Sequence, residues 1–503
     1  MLSILSIKEF FLRKNTPLQK KYIKIILLVF LFVLLFLKIH DNPVFRRFLA
    51  DREFDGDERK YMRIVQSLAE DGDLDLSNLW YKEEEIEKAR EEMLSSGSRK
   101  VDDLYFLGMN GGIYTLHMPG IAFLILPAYK LDSIFYPNDP ESAPAALPFL
   151  PLKLYFTHAF LAALTVMNFL LLMRLLSRTL CSFLLAFVLS LLLIYNSSFL
   201  HYSFTVFPGC AATFFCLLAL NSIFFPFKNK YITDLLLSVG IVFLPWLHQR
   251  FIPLSAGLFL AFFFYRKKAG ISVNRFFSVC LMIIILSLPY FYYFYSLTGS
   301  PSPLSTSRLF GTIHISARVI SVGFFGLIFS PSQGYIWNYP WIFLCFFGSY
   351  WGLKEDKKTT FVLTLIIILY YLTCSASINL GGGGYPVGRF LLPLLPLFLI
   401  FAGKTLQNFY RKFSYSKLIF YFAFFLLFFL NKEFLLRHFS DRHVQPPYSL
   451  IYMTEPHSLI WIAQSICVIL FFYLSISLSD RFLFAKEERK KSLGTNNGIR
   501  GQS

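Results

Sequence analysis

The sequence predicts an all-α, multi-pass membrane protein, and three observations support that prediction. The 503-residue chain is 55% hydrophobic and 19% aromatic, only 16% of its residues are charged, and its mean hydropathy is +0.53. Soluble domains carry a charged fraction of about 25%, and disordered chains contain few apolar residues. The apolar residues form long unbroken runs, whereas the strands of a membrane β-barrel alternate. These features exclude a soluble enzyme, a disordered chain and a porin.

Twelve apolar runs are predicted to cross the bilayer, whose hydrocarbon core is about 30 Å thick. The first run, 25–37, follows six basic residues, and no small-residue cleavage site comes after it. It is therefore predicted to be an uncleaved span that enters from the cytoplasm. The other predicted spans lie near 152–174, 179–197, 205–226, 231–248, 251–266, 276–296, 337–353, 359–377, 388–403, 417–430 and 458–478.

The basic residues predict which loops face the cytoplasm. With the amino terminus inside, the cytoplasmic segments hold 27 of the 48 lysines and arginines, including a basic tail at 480–503. Short cytoplasmic loops are enriched in Lys and Arg in membrane proteins, so the net charge of +17 is explained without nucleic acid. The expected location is the cell's inner membrane, with both termini cytoplasmic and the active site extracytoplasmic.

A further apolar segment, 117–136, is long enough to cross the membrane. If it did, every later loop would change sides and the basic loops would face outward. We therefore predict that 117–136 is re-entrant or lies in the outer interface. The alternative is a thirteenth span.

The long first outer loop, residues 40–112, is where the acidic residues concentrate. It holds 18 of the chain's 31 acidic residues against 11 lysines and arginines. An amphipathic, interfacial helix is predicted behind Asp57-Glu58 and ends at Asp71-Gly72, because apolar residues recur at helical spacing. In the alternative interpretation Asp57 is only an N-cap, and Asp55 complements the helix dipole. The next charged run, 82–93, is predicted to be a solvated surface helix.

The end of this loop carries a second group of candidate residues. Gly111 and Gly112 permit a tight turn beside Tyr114, and Pro119 can begin the apolar helix that follows. His117 would stand where that helix meets the membrane. It is a candidate phosphate ligand or proton carrier, although an isolated interfacial histidine often has no chemical role.

Two later segments place arginine at the same outer side. His248 and Arg250 join two apolar runs with almost no loop, and an arginine there is costly unless it faces a cavity or an anion. Arg389 follows a glycine-rich stretch that contains Tyr385 and could bind a phosphate with two nitrogens. Snorkelling or helix capping is the alternative for both arginines.

Together these residues predict chemistry on a lipid-linked phosphate. The arginines suit an anion held at the bilayer surface, and a carboxylate suits a general base for an acceptor hydroxyl or amine. The sequence contains no Walker loop, no HExxH zinc motif and no GxSxG elbow. It indicates no cofactor and no metal site.

These motifs resemble the membrane-embedded glycosyltransferases of the GT-C fold, which include bacterial aminoarabinose transferases and protein O-mannosyltransferases. The resemblance rests on five stretches of this sequence: Gly56-Asp57-Glu58 with Tyr61, the run 71–76, the run 112–120, the run 244–251 and the run 388–396. The matching stretches are spread over most of the chain, and the resemblance implies a single transmembrane domain over 1–503.

The resemblance also implies a reaction. It implies inverting transfer of a sugar from a polyprenyl-phosphate donor to a lipid, glycan or protein acceptor at the outer face. Asp57 would be the base, with Glu58 supporting it or the acceptor, and His117, Arg250 and Arg389 would bind the donor phosphate. Asp55, Tyr61, Tyr114, His248 and Tyr385 are further pocket candidates.

The chain departs from the family pattern at two positions. Arg59-Lys60 stands where relatives often have a proline and another residue, and Gly209 follows Pro208 where many relatives have a glutamate.

Two other functions remain as alternatives. A flippase or transporter of lipid-linked sugars usually shows internal repeats, and no convincing repeat is found. An O-antigen-ligase-like enzyme would use a late outer loop, yet 298–336 contains only Arg308, His314 and Arg318 as charged or titratable residues.

Overall fold

In the computed structural model of the protein, the described residues run from 57 to 412. They exclude 82, 97–98, 102–104, 139–149, 195–198, 200–201, 204, 266–270, 306–316, 330–333, 336–338 and 377–388. The predicted spans at 25–37, 417–430 and 458–478 and the basic tail lie outside the described residues, as do Asp55 and Tyr385.

The described chain is mostly helical, as the apolar runs predict. The outer-loop elements and the helix after them are α1 (Glu58–Glu70), α2 (Ser77–Trp80), α3 (Glu83–Ser96), β1 (Tyr105–Leu107), β2 (Ile113–Thr115) and α4 (Gly120–Phe135). The next apolar helices are α5 (Tyr155–Thr179), α6 (Phe183–Ile194), α7 (Pro208–Phe224), α8 (Lys230–Leu247), α9 (Ile252–Tyr265) and α10 (Val273–Thr298). The last described helices are α11 (Ala317–Phe329), α12 (Phe343–Glu355), α13 (Lys357–Ser375) and α14 (Leu395–Lys412).

By length and composition, the chain is an integral membrane protein. Five described stretches are long and apolar enough to cross a membrane, and each coincides with a span predicted from the sequence. They are Tyr155–Thr179, Lys230–Leu247, Val273–Thr298, Lys357–Ser375 and Arg389–Asn408. Helices α6, α7, α9 and α12 coincide with four more of the predicted spans but are shorter.

The chain divides into two compact units. The described residues of the first unit lie within 1–175, 190–252 and 273–310, and those of the second lie within 176–189, 253–272 and 311–503. All contacts below are contacts within one unit.

In the first unit, helices α8 and α10 run parallel. Near their first turns, the guanidinium of Arg275 binds both carboxylate oxygens of Asp234 at 2.6–3.0 Å. Farther along, the ring of Trp246 in the last turn of α8 meets the ring of Tyr290, about two turns before the end of α10, edge to face, with centroids 5.4 Å apart. Helix α7 runs antiparallel to α8, and Phe215 stacks on Phe243 at 4.5 Å.

Helices α5 and α7 run in the same direction. The Asn168 side chain donates to the Cys210 carbonyl at 3.0 Å, and the Arg174 guanidinium donates to the Phe225 carbonyl at 2.7 Å. The starts of α5 and α7 and the ends of α8 and α10 therefore point toward one end of the unit. We call this the site end.

The outer loop docks on the site end through a short hairpin. Strands β1 and β2 pair antiparallel, and Gly111 in the turn between them has a positive φ of 83°. The Arg99 guanidinium donates to the carbonyls of Leu107 at 2.8 Å and Leu297 at 2.5 Å, and the Met109 N–H also donates to Leu297 at 3.0 Å. The carbonyls that end α10, which have no partner within the helix, thus find donors in the outer loop.

Helix α4 lies across the site end. A Cβ at Gly120 would be only 2.4 Å from the carbonyl oxygen of Trp246, so the start of α4 packs directly on the last turn of α8. Near the other end of α4, the carboxylate of Asp132 accepts the N–H groups of Phe156 at 2.7 Å and Thr157 at 2.8 Å. Asp132 thereby caps α5, and both ends of α4 lie at the same end of the unit.

The second unit contains a helix that the sequence analysis did not predict. Helix α11 lies within 298–336, which was expected to be an outer loop. It packs on α13: the Tyr371 hydroxyl donates to the Phe324 carbonyl, and Gly323 lies against the Ser375 carbonyl. At about 1.5 Å per residue, its 13 residues are about 20 Å long, shorter than the hydrocarbon core of a bilayer.

The Asp132 cap yields a stability prediction. Asp132→Ala leaves two helix N–H groups without their carboxylate and should lower the free energy of unfolding by about 2 kcal/mol. Asp132→Asn keeps one carbonyl acceptor and should lose about half as much. The measurement is thermal unfolding in lipid nanodiscs. Ser133→Ala is the control, because Ser133 bonds only within its own helix, to Tyr129; equal losses for Asp132→Ala and Ser133→Ala would contradict the cap.

Candidate active site

Asp57 occupies the N-cap position of α1 but does not cap the helix. Its backbone is already helical, with φ −70° and ψ −15°, and its side chain makes no capping hydrogen bond. Capping residues normally have extended dihedrals that place the side chain over the first N–H groups. The side chain of Asp57 therefore does not act as an N-cap, and its carboxylate does not point at the first N–H groups of α1.

Two basic side chains approach the carboxylate of Asp57. The Lys60 Nζ lies 3.4 Å from Oδ1, and the His117 Nε2 lies 3.6 Å from the same oxygen. Lys60 comes from the next turn of α1, where residues three apart share a face. His117 comes from the segment between β2 and α4. The Asp57 side chain is 32% exposed, so substrate can reach it.

The imidazole of His117 is held on its other sides. Its Nδ1 lies 3.2 Å from the Oγ1 of Thr115, which also accepts the backbone N–H of His117 at 3.2 Å. The ring of Tyr61 meets the imidazole edge to face, with centroids 5.0 Å apart. The His117 side chain is only 10% exposed, so these contacts fix where its Nε2 points.

Glu58 has a different environment from its neighbour Asp57. It is only 1% exposed, and its Oε1 accepts the backbone N–H of Val206 at 2.7 Å, just before α7 begins. The same loop brings the ring of Phe207 to 6.2 Å from that of Tyr61. Glu58 thus ties the start of α1 to the start of α7, and this bond helps to position Asp57.

Arg250 lies in a single 3-10 turn, Gln249–Phe251, between α8 and α9. Its Nη2 is 2.9 Å from the Nε2 of His248, and its backbone N–H is 3.2 Å from the Nδ1 of the same ring. A neutral imidazole has one acceptor nitrogen, so the ring accepts one of these bonds at a time. His248 therefore positions the guanidinium of Arg250, which stays partly exposed.

The segments that carry His117 and Arg250 are in contact. Gly120 packs on the end of α8, and the Gln249 side chain reaches the sulfur of Met118 at 3.9 Å. The structure therefore brings Asp57, Glu58, Tyr61 and His117 together and places the 248–250 segment beside them, all within the first unit.

The remaining predicted residues fall elsewhere. The Tyr114 ring packs on Phe106 and Leu297, on the opposite side of β2 from Thr115, and burial together with the charges of Asp75 and Asp73 raises the pKa of its hydroxyl. Arg389 belongs to the second unit, where its guanidinium lies 5.5 Å from the ring centroid of Phe390.

Sequence reasoning missed two residues at this site, Lys60 and Thr115. Their positions carried a signal: Lys60 follows Asp57 by three residues in a predicted helix, and Thr115 precedes His117 by two. Among the described residues, no group of three or more His, Cys, Asp or Glu side chains could hold a metal ion.

Comparison with known proteins gives one structural similarity. No family model matches the sequence, and no curated protein matches it. The fold is similar to the crystal structure of ArnT from Cupriavidus metallidurans bound to undecaprenyl phosphate, with a TM-score of 0.47 and 11% sequence identity. The match covers 84% of this chain and 66% of that chain, so this chain spans just under two thirds of the length of ArnT.

Proposed function

We propose that the protein is a glycosyltransferase that moves a sugar from a polyprenyl-phosphate donor to a lipid, glycan or protein acceptor at the extracytoplasmic face. The observation that carries the proposal is the carboxylate of Asp57, which is partly exposed, released from helix capping and contacted by His117 and Lys60. This is the environment expected of a general base with supporting groups.

In the proposed reaction the acceptor is activated at Asp57. The carboxylate takes the proton of the acceptor hydroxyl or amine as that atom attacks the anomeric carbon from the face opposite the phosphate. The bond between the anomeric carbon and the phosphate oxygen breaks, and polyprenyl phosphate leaves with the electron pair. The configuration at the anomeric carbon inverts, because a single displacement takes place.

The geometry supports different roles for the basic residues. The Nε2 of His117 faces Asp57, which favours His117 as a partner of the base. Arg250 and Arg389 then remain as candidates for the donor phosphate, since guanidinium groups bind phosphate oxygens in pairs. Glu58 supports the base indirectly, through its bond to Val206.

The arrangement of the first unit supports the proposed sidedness of its own helices. The Asp234–Arg275 pair and Arg174 lie at the end away from Asp57, which is the predicted cytoplasmic side. Helix α4 has both of its ends at the site end, which supports an interfacial position for it instead of a thirteenth span.

The proposed activity is tested by removing the base. Asp57→Asn keeps the size of the side chain but removes the proton acceptor, and should lower kcat by about 10²–10⁴-fold. Transfer is measured in membrane vesicles supplied with lipid-linked donor sugar. Asp71→Asn, at the exposed far end of α1, is the control and should keep wild-type transfer.

Full transfer by Asp57→Asn would show that the catalytic assignment is wrong. The substrates are identified by mass spectrometry of surface glycolipids and glycoproteins from cells with and without the protein. If one glycolipid or glycoprotein lacks the mass of a hexose, a pentose or an amino sugar in cells without the protein, that difference identifies both the sugar and the acceptor. No missing mass, combined with accumulated donor lipid on one leaflet, would favour a flippase.

The role of Arg250 predicts a change in donor affinity. Arg250→Lys keeps the charge but cannot bind a phosphate with two nitrogens, so the donor KM should rise by about tenfold or more. Steady-state kinetics with varied donor concentration provide the measurement. Arg63→Lys is the matched control, because Arg63 bonds the Tyr105 hydroxyl in the outer loop. An unchanged donor KM in Arg250→Lys would remove Arg250 from the phosphate site.

The topology predicts the side of one basic loop. A reporter enzyme fused near Lys267 should show cytoplasmic activity, because the loop 266–275 carries four basic residues. A reporter in the outer loop near Lys88 should show the opposite side. A periplasmic signal at Lys267 would overturn the proposed arrangement.

A further inference from the structure

We propose that Thr115 is a positioning residue that fixes the tautomer of His117, so that a neutral imidazole presents its Nε2–H to Asp57. The inference rests on the proposed function in one respect, namely that Asp57 is the catalytic base. The tautomer itself is inferred from the contacts of the ring with Thr115 and Asp57.

The Thr115 hydroxyl faces two atoms of His117. Its Oγ1 lies 3.2 Å from the backbone nitrogen and 3.2 Å from the Nδ1 of the ring. The backbone N–H can only donate, so Oγ1 accepts that bond. The hydroxyl keeps one hydrogen and one further lone pair, so toward Nδ1 it can either donate or accept.

The carboxylate of Asp57 sets the direction of the bond between Thr115 and a neutral His117. When Nδ1 accepts, the hydrogen resides on Nε2, which lies 3.6 Å from the Oδ1 of Asp57. The other tautomer would turn the Nε2 lone pair toward a carboxylate oxygen, which is electrostatically unfavourable. The Nε2–H tautomer therefore suits both contacts, with the Thr115 hydroxyl as the donor to Nδ1.

The surroundings keep this arrangement in place. Thr115 is the last residue of β2, paired with Tyr105, and is 7% exposed. Tyr61 packs edge-on against the imidazole. The hydroxyl, the ring and the carboxylate form a chain that begins in the hairpin and ends at the first residue before α1. Groups that orient a reacting side chain in this way typically contribute about 10–100-fold to activity.

The chemical consequence concerns the carboxylate of Asp57. An Nε2–H on the side of Oδ1, 3.6 Å away, stabilises the negative charge of the carboxylate before it takes the acceptor proton. Without the Thr115 hydroxyl, the ring can rotate or change tautomer, and Asp57 loses a fixed donor. Thr115 touches neither substrate in this scheme and acts through His117.

The test combines two variants of Thr115 with a spectroscopic measurement. Thr115→Val keeps the shape of the side chain but removes the hydroxyl, whereas Thr115→Ser keeps the hydroxyl. Protein labelled with ¹⁵N-histidine is placed in lipid bilayers, and the ¹⁵N chemical shifts of the ring nitrogens report the tautomer. The His117 signals are identified by their loss in His117→Asn.

We expect the Nε2–H tautomer in the wild type and in Thr115→Ser, and a mixture or the Nδ1–H tautomer in Thr115→Val. Transfer kinetics should follow: Thr115→Val lowers kcat by about tenfold with the donor KM unchanged, and Thr115→Ser stays within about twofold of wild type.

Two results would overturn the inference. One is a wild-type tautomer in Thr115→Val. The other is an equal loss of kcat in Thr115→Ser, which would mean that the methyl group and its packing matter instead of the hydroxyl. The spectroscopic result does not need turnover, so it stands apart from the proposed function, which fails separately if Asp57→Asn transfers sugar at the wild-type rate.

Discussion

Backbone groups at the ends of membrane helices need hydrogen-bond partners, and this chain supplies them from distant segments. A helix end leaves several N–H or C=O groups unpaired, and a helix end that is buried in the protein has no water to bind. Asp132 binds the first N–H groups of α5, Arg99 binds the last carbonyls of α10, and Glu58 binds the N–H before α7. These bonds hold the outer loop on the first unit.

The same constraint explains why two adjacent carboxylates differ. Glu58 points into the protein and satisfies a buried backbone N–H, so it fixes the start of α1. Asp57, one residue earlier, has helical dihedrals that turn its side chain away from the helix N–H groups. Its carboxylate meets His117 and Lys60 at a partly exposed position. Because of this helix geometry, Glu58 has a structural role, whereas the carboxylate of Asp57 is available for chemistry.

Much of the local structure was predictable from residue patterns. The helical spacing that ends at Asp71-Gly72 corresponds to α1, the charged run 82–93 lies in α3, and Pro119 directly precedes α4. Helix α11 was missed because 298–336 was expected to be one outer loop, and the packing of α11 against α13 is visible only in the tertiary structure. The β-hairpin was also missed, since strands of three residues carry almost no periodicity.

The sequence by itself determined the class of protein, the order of the apolar helices and the candidate residues Asp57, His117 and Arg250. Hydropathy and helical spacing are local properties, so they can be recognised without a fold. Only the tertiary structure decided that His117 faces Asp57, that Thr115 lies on the other side of that imidazole and that Glu58 is buried on Val206. Those contacts join residues up to 148 positions apart. They exist because packed helices bring these segments together, and no local pattern encodes that proximity.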